Sequence, residues 1–112
     1  MNNYIMIEIA FGSKKEVDES VKVLLDNKLV ASTQVFTSES TWNYKGKRTN
    51  KKEFILLLKT KEELINDIYN VIKDIHSYEV FEFAIFNLSS PSKEYLDWIN
   101  DETKSNKQTY TL

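Results

Sequence analysis

The chain has 112 residues, with no cysteine, one histidine, two glycines and one proline. That length argues for one domain, able to bury roughly two-thirds of its unfolded surface without staples. The missing cysteines exclude a disulfide framework, a thiolate metal site and a cysteine nucleophile. A formal net charge of -2 with both signs interspersed lacks the basic face that nucleic-acid binding requires. No apolar run approaches the length of a bilayer span. Met1 to Tyr4 carry no basic stretch ahead of an apolar one, so a cytoplasmic protein is expected.

Tyr4 to Ala10 alternates, with Ile5, Ile7 and Ile9 on one face and Tyr4, Met6, Glu8 and Ala10 on the other, which predicts a half-buried strand. Ser13 with Glu16 reads as a capping box, opening a helix to about Asn27 with Val17, Val21, Leu24 and Leu25 at helical spacing. Leu29 to Tyr44 is rich in β-branched and aromatic residues and predicts a long strand. Lys45-Gly46 is its turn, and a return strand runs from about Arg48 to Lys59. Thr60 with Glu63 predicts a second capping box, and Ile65, Ile68, Ile72 and Ile75 mark the buried face of the helix after it. Glu79 to Phe86 is expected as a fourth strand, with Phe81, Phe83 and Ile85 facing the helices. Ser90-Pro91 is expected to start a third helix, with proline at its first position. The order β-α-β-β-α-β plus a terminal helix is the ferredoxin-like α+β pattern. One domain over residues 1–104 is expected, and 105–112 as a polar tail or, through Tyr110, an added edge strand.

Five blocks in this order carry a resemblance. Lys28-Leu29-Val30-Ala31-Ser32 resembles Lys-Leu-Ala-Ala-Cys, and the hairpin Ser40 to Lys47 resembles Ser-x-Tyr-x-Trp-x-Gly-Lys. Phe54 to Thr60 is similar to Val-Leu-Leu-Ile-Ile-Lys-Thr, Ile75 to Glu82 to Leu-His-Pro-Tyr-Glu-Val-Pro-Glu, and Tyr95-Leu96-Asp97-Trp98-Ile99 to Tyr-Leu-Asp-Trp-Ile. These are blocks of the CutA divalent-cation-tolerance family. The departures are Ser32 in place of cysteine, which removes a soft ligand suited to copper(I), and Ser77 and Phe81 in place of prolines, which loosens the backbone after His76. The resemblance implies a homotrimer built like the PII signalling proteins, and a link to tolerance of divalent cations such as copper or zinc.

Candidate site residues fall into two groups. His76, Glu82 and Glu8 combine an imidazole with two carboxylates that point away from the helices on neighbouring strands. That donor set suits a borderline divalent cation with water completing its shell. The alternatives are a histidine at a helix C-terminus and solvated or lysine-paired glutamates. Trp42, Tyr44, Lys47, Lys59, Tyr78 and Glu79 form the second group, a ligand cleft between a long hairpin of one subunit and the fourth strand of another. The competing role for the aromatics is core or interface anchoring. No glycine-rich phosphate loop is present, and nothing in the sequence orders a serine–histidine–acid arrangement, so a non-enzymatic protein is expected. Three functions stay open: a trimeric divalent-cation-tolerance protein, a PII-like sensor of a small molecule or anion at the subunit clefts, and an interaction module without a ligand.

Overall fold

The computed structural model describes residues 3–105. The expected tail or edge strand lies, but for Ser105, outside the described residues. Strand β1 (Tyr4–Phe11) leads to helix α1 (Lys14–Asp26), then to strands β2 (Ser32–Tyr44) and β3 (Lys47–Lys61). A 3-10 turn at Glu62–Leu64 precedes helix α2 (Ile65–Ile75), followed by strand β4 (Phe83–Asn87) and helix α3 (Lys93–Glu102). The four strands form one antiparallel sheet in the order β2-β3-β1-β4. This is the ferredoxin-like arrangement.

Period-two alternation sorts the sheet into two faces. Ile5, Ile7, Ile9 and Phe11 of β1 lie with Leu56 and Leu58 of β3 under Val17 and Leu24 of α1 and Leu64, Ile68 and Ile72 of the 3-10 turn and α2. All of these side chains are buried. The opposite, open face carries Met6, Glu8 and Ala10 of β1, Glu53, Ile55 and Leu57 of β3, Phe36, Ser40 and Trp42 of β2, and Phe86 of β4, by cross-strand register.

β1 ends opposite Phe54, whereas β2 and β3 stay paired out to Tyr44 and Lys47. The hairpin therefore overhangs the rest of the sheet by about 20 Å at the usual strand rise. This arm accounts for a radius of gyration of 15.3 Å, against about 13 Å for a compact domain of this size.

Several boundaries differ from those expected. The Ser13 hydroxyl caps the Glu16 N–H, but the Glu16 carboxylate accepts from the Ser77 N–H and so does not close a capping box. Thr60 belongs to β3 and donates its hydroxyl to the Leu29 carbonyl at 2.6 Å. Lys61 precedes the 3-10 turn without a side-chain cap. Residues 28–31 form the α1–β2 connection, so β2 starts at Ser32. The third helix is capped by Ser92, whose hydroxyl accepts from Tyr95 N–H; Pro91 stands ahead of the cap. The fourth strand begins at Phe83, four residues later than expected, and Ile85 at this sheet edge stays 45% exposed. The segment before it is held by side chains instead of strand pairing.

Candidate functional site

That segment, residues 76–82, is organised by His76. The ring lies between Phe11 and Phe81, with both centroid separations at 4.5 Å and planes within 12° and 14° of parallel. Its Nδ1 accepts the Tyr78 N–H at 3.1 Å, so the ring proton sits on Nε2, which donates to the Ala10 carbonyl at 2.7 Å. Both nitrogens are engaged and the residue is buried. In this geometry His76 has no lone pair for a cation, and its work is to pin the 76–82 segment against the end of β1.

Pinned there, Tyr78 reaches over Gly12 to β3. A side chain at position 12 would collide with the Tyr78 hydroxyl, so the close approach needs glycine. Tyr78 donates to Glu53 Oε2 at 3.2 Å, and the Lys51 ammonium sits 5.3 Å above the Tyr78 ring. Burial pushes the Tyr78 phenol up, with Lys51 opposing and Glu53 adding to the shift. The phenol therefore stays protonated as a donor. Glu53 is 6% exposed.

Glu8 and Glu82 meet on the open face as a hydrogen-bonded carboxyl pair. The pKa of Glu82 is pushed up to about 7, first by that hydrogen bond, then by partial burial and by the negative charges of Glu8 and Glu53. Glu82 therefore keeps its proton to a higher pH than an ordinary carboxyl does. Among the described residues, no three His, Cys, Asp or Glu side chains converge closely enough to hold a metal ion. His76 does not join the pair.

A cavity of about 300 Å³ opens beside the pair, lined by Trp42, Tyr78, Val80, Glu53, Glu82 and Ser40, among others. A second, of similar volume, adjoins it and adds Tyr44, Thr49, Lys51 and Glu79. Trp42, Tyr44, Tyr78 and Glu79 thus share one cleft with Glu82. The hairpin wall comes from the same chain, where the expectation placed it on another subunit, because the overhanging arm and the 76–82 segment meet beyond the end of β1. Lys47 sits at the arm's tip opposite Tyr44. Lys59 donates to Gln34 at 2.9 Å. Neither lines the cleft. Sequence reasoning missed Gly12, Lys51 and Glu53. A charged residue on the same parity as Ile55 and Leu57, and one of only two glycines in the chain, were the signals available.

These features define an α+β, ferredoxin-like protein with an acidic, aromatic-walled cleft on its open sheet face. A family model described as CutA1 divalent ion tolerance protein matches residues 5–102, and the chain belongs to that family. The divalent-cation tolerance protein CutA of Archaeoglobus fulgidus is 33% identical over 103 residues, covering 92% of this chain and 98% of the relative. That of Pyrococcus horikoshii is 28% identical over 100 residues, covering 89% and 98%. The solved structure of the periplasmic divalent cation tolerance protein CutA from A. fulgidus superposes with a TM-score of 0.84 at 30% identity, covering 93% of this chain and all of that one. The family is named for a tolerance, not for a reaction. No helix among the described residues is long and apolar enough to cross a membrane.

Proposed function

We propose that this chain works without catalysing a reaction, as a homotrimeric divalent-cation-tolerance protein whose cation-responsive group is the Glu8–Glu82 carboxyl pair. What supports this reading is that Glu8 and Glu82 stand together on the open face, where the contact pushes the Glu82 carboxyl up to about 7. A divalent cation offers the charge that makes ionising Glu82 favourable, so binding displaces the Glu82 proton. Two carboxylates are an incomplete shell for copper(II) or zinc. Water, and donors from neighbouring subunits, complete it. Without thiolate or free imidazole the affinity is modest.

Calorimetric titration with zinc and copper(II) at about pH 6 and about pH 8 tests the reading. Protonation competes with the metal, so binding is expected to strengthen at the higher pH with proton release. The Glu82→Gln protein should bind at least about ten-fold more weakly, a loss equivalent to ~1.4 kcal/mol. Binding that is indifferent to pH and to Glu82→Gln would remove the pair from the site.

A further inference from the structure

We propose that His76 is a proton-operated latch: a proton taken up at its Nδ1 releases the Tyr78 backbone and frees residues 78–82, while the ring itself stays in place. This goes beyond the metal reading and does not rest on it, and the experiment that tests it contains no metal.

The two ring nitrogens meet opposite fates on protonation. Nε2 already donates to the Ala10 carbonyl at 2.7 Å, and an imidazolium makes that bond charge-assisted and stronger. The flanking Phe11 and Phe81 rings, each 4.5 Å away, attract a cation through their faces. Both effects keep a charged ring where it stands. Nδ1 is different. It accepts the Tyr78 N–H at 3.1 Å through the lone pair that a proton from solvent occupies, and in the imidazolium both nitrogens are donors. Two N–H groups then face each other, and the bond is lost. Histidine is the side chain suited to such a change between about pH 5 and 8.

The rest of the segment has little else to hold it. Residues 77–82 belong to no helix or strand. The Ser77 N–H donates to the Glu16 carboxylate of α1 at 3.0 Å, so the base of the turn stays tethered. Beyond it, the Tyr78 hydroxyl reaches Glu53 at 3.2 Å, long for a bond of this kind. The other charged groups around the turn are Lys51 of β3, over the Tyr78 ring, Lys73 and Asp74 in the last turn of α2, Glu79 of the segment itself, and Glu82, which meets Glu8 of β1. The ring's own partners are the Ala10 and Tyr78 backbone groups. His76 lies on the helix side of the sheet with Phe11 and Phe81, whereas Tyr78 and Val80 stand at the rim of the open face. The latch thus ties the shape of that rim to a proton held on the opposite side of the sheet.

The test is nuclear magnetic resonance on the full, 15N-labelled chain carrying Glu82→Gln, which removes the carboxyl that titrates near neutrality. The His76 ring nitrogens and the Tyr78 amide are followed from about pH 8 to about pH 5, the range of histidine chemistry. At the alkaline end the ring should carry its proton on Nε2 alone. On acidification the Tyr78 amide signal should move with the same midpoint as the ring. Its protection against hydrogen exchange, corrected for the intrinsic rate, should fall at least about five-fold, the scale of one hydrogen bond. His76→Asn in the same background keeps an acceptor for the N–H two residues on, as in an Asx-turn, but cannot take up the proton, so its Tyr78 amide should not respond. A ring that titrates while the Tyr78 amide stays unchanged would overturn the latch. So would a ring that takes up no proton before the whole chain unfolds, or a Tyr78 response that persists in His76→Asn. Should His76→Asn fail to fold, the coincidence or separation of the two midpoints decides.

Discussion

His76 shows how a titratable residue can be spent on architecture. Replacing it with alanine deletes two stacked aromatic contacts and strands the Ala10 carbonyl and the Tyr78 N–H. Together these losses are worth about 2–4 kcal/mol. Urea unfolding of His76→Ala should show a loss of that order, while zinc binding at about pH 8 survives in the protein that remains folded. Cation binding abolished in a folded His76→Ala protein would return the imidazole to the ligand set. Glu82 gives the second expectation at this scale. Its folded pKa lies above the ordinary 4.5, so the folded state binds the proton more tightly than the unfolded chain does. The resulting stability is present at low pH and fades as pH rises from about 4.5 through about 7. Solvent screening of this accessible carboxyl keeps the effect small. The thermal midpoint should therefore fall across that window in the parent and fall less in Glu82→Gln; identical profiles would refute the coupling. His76 was conspicuous in the sequence as the lone histidine at an element's end. The Ala10 carbonyl that claims Nε2 was invisible there, because it comes from β1, far away along the chain, and the turn that brings the Tyr78 N–H back onto Nδ1 carries no sequence signal.

At the scale of elements, the α1 terminus is a Schellman motif built without glycine. The Leu29 N–H donates to the Leu24 carbonyl and the Lys28 N–H to the Leu25 carbonyl, while Leu24 and Leu29 bury their side chains in the core. The motif needs a left-handed residue after the cap, and Lys28 supplies it at φ 56°. The same strain recurs in the hairpin turn, where Lys45 (φ 50°) precedes Gly46 (φ 79°), the positive pair that a two-residue type I′ turn requires. Lys28→Gly should stabilise the protein by up to about 1 kcal/mol by removing that strain. Chemical denaturation measures it, and a loss of stability would mean that glycine's greater freedom in the unfolded chain outweighs the relief. Elements with strong periodicity were legible: the three isoleucines of β1 and the isoleucine stripe of α2 each specify one face. Their ends were less so. Thr60 and Glu63 look like a cap in sequence, but the Leu29 carbonyl captures the Thr60 hydroxyl, and β4 starts late because residues 77–82 pass under the hairpin arm.

For the whole molecule, the decisive feature is what the helices leave uncovered. Phe36 of β2 and Phe86 of β4 are 49% and 45% exposed on the open face, with Met6 and Leu57 half-buried between them. Apolar side chains spread across all four strands of one sheet face call for a cover. A second copy of the chain is the economical one, since a symmetric assembly covers every copy's face at once. The sequence already carried the reason for association, in a β3 core apolar on both parities; the number three came from the family resemblance alone. An assembly resting on this face should be sensitive to charge there. Phe36→Glu puts a carboxylate where β2 and β3 pair at Phe36 and Ile55, and burying it unpaired costs several kcal/mol per subunit. Light scattering at micromolar concentration is expected to show a trimer for the parent and a monomer for Phe36→Glu. The variant's circular dichroism should stay near the parent's, because Phe36 makes no part of the helix-side core. A parent that is monomeric at that concentration would refute the assembly. A trimer that tolerates Phe36→Glu would place the interface elsewhere on the molecule.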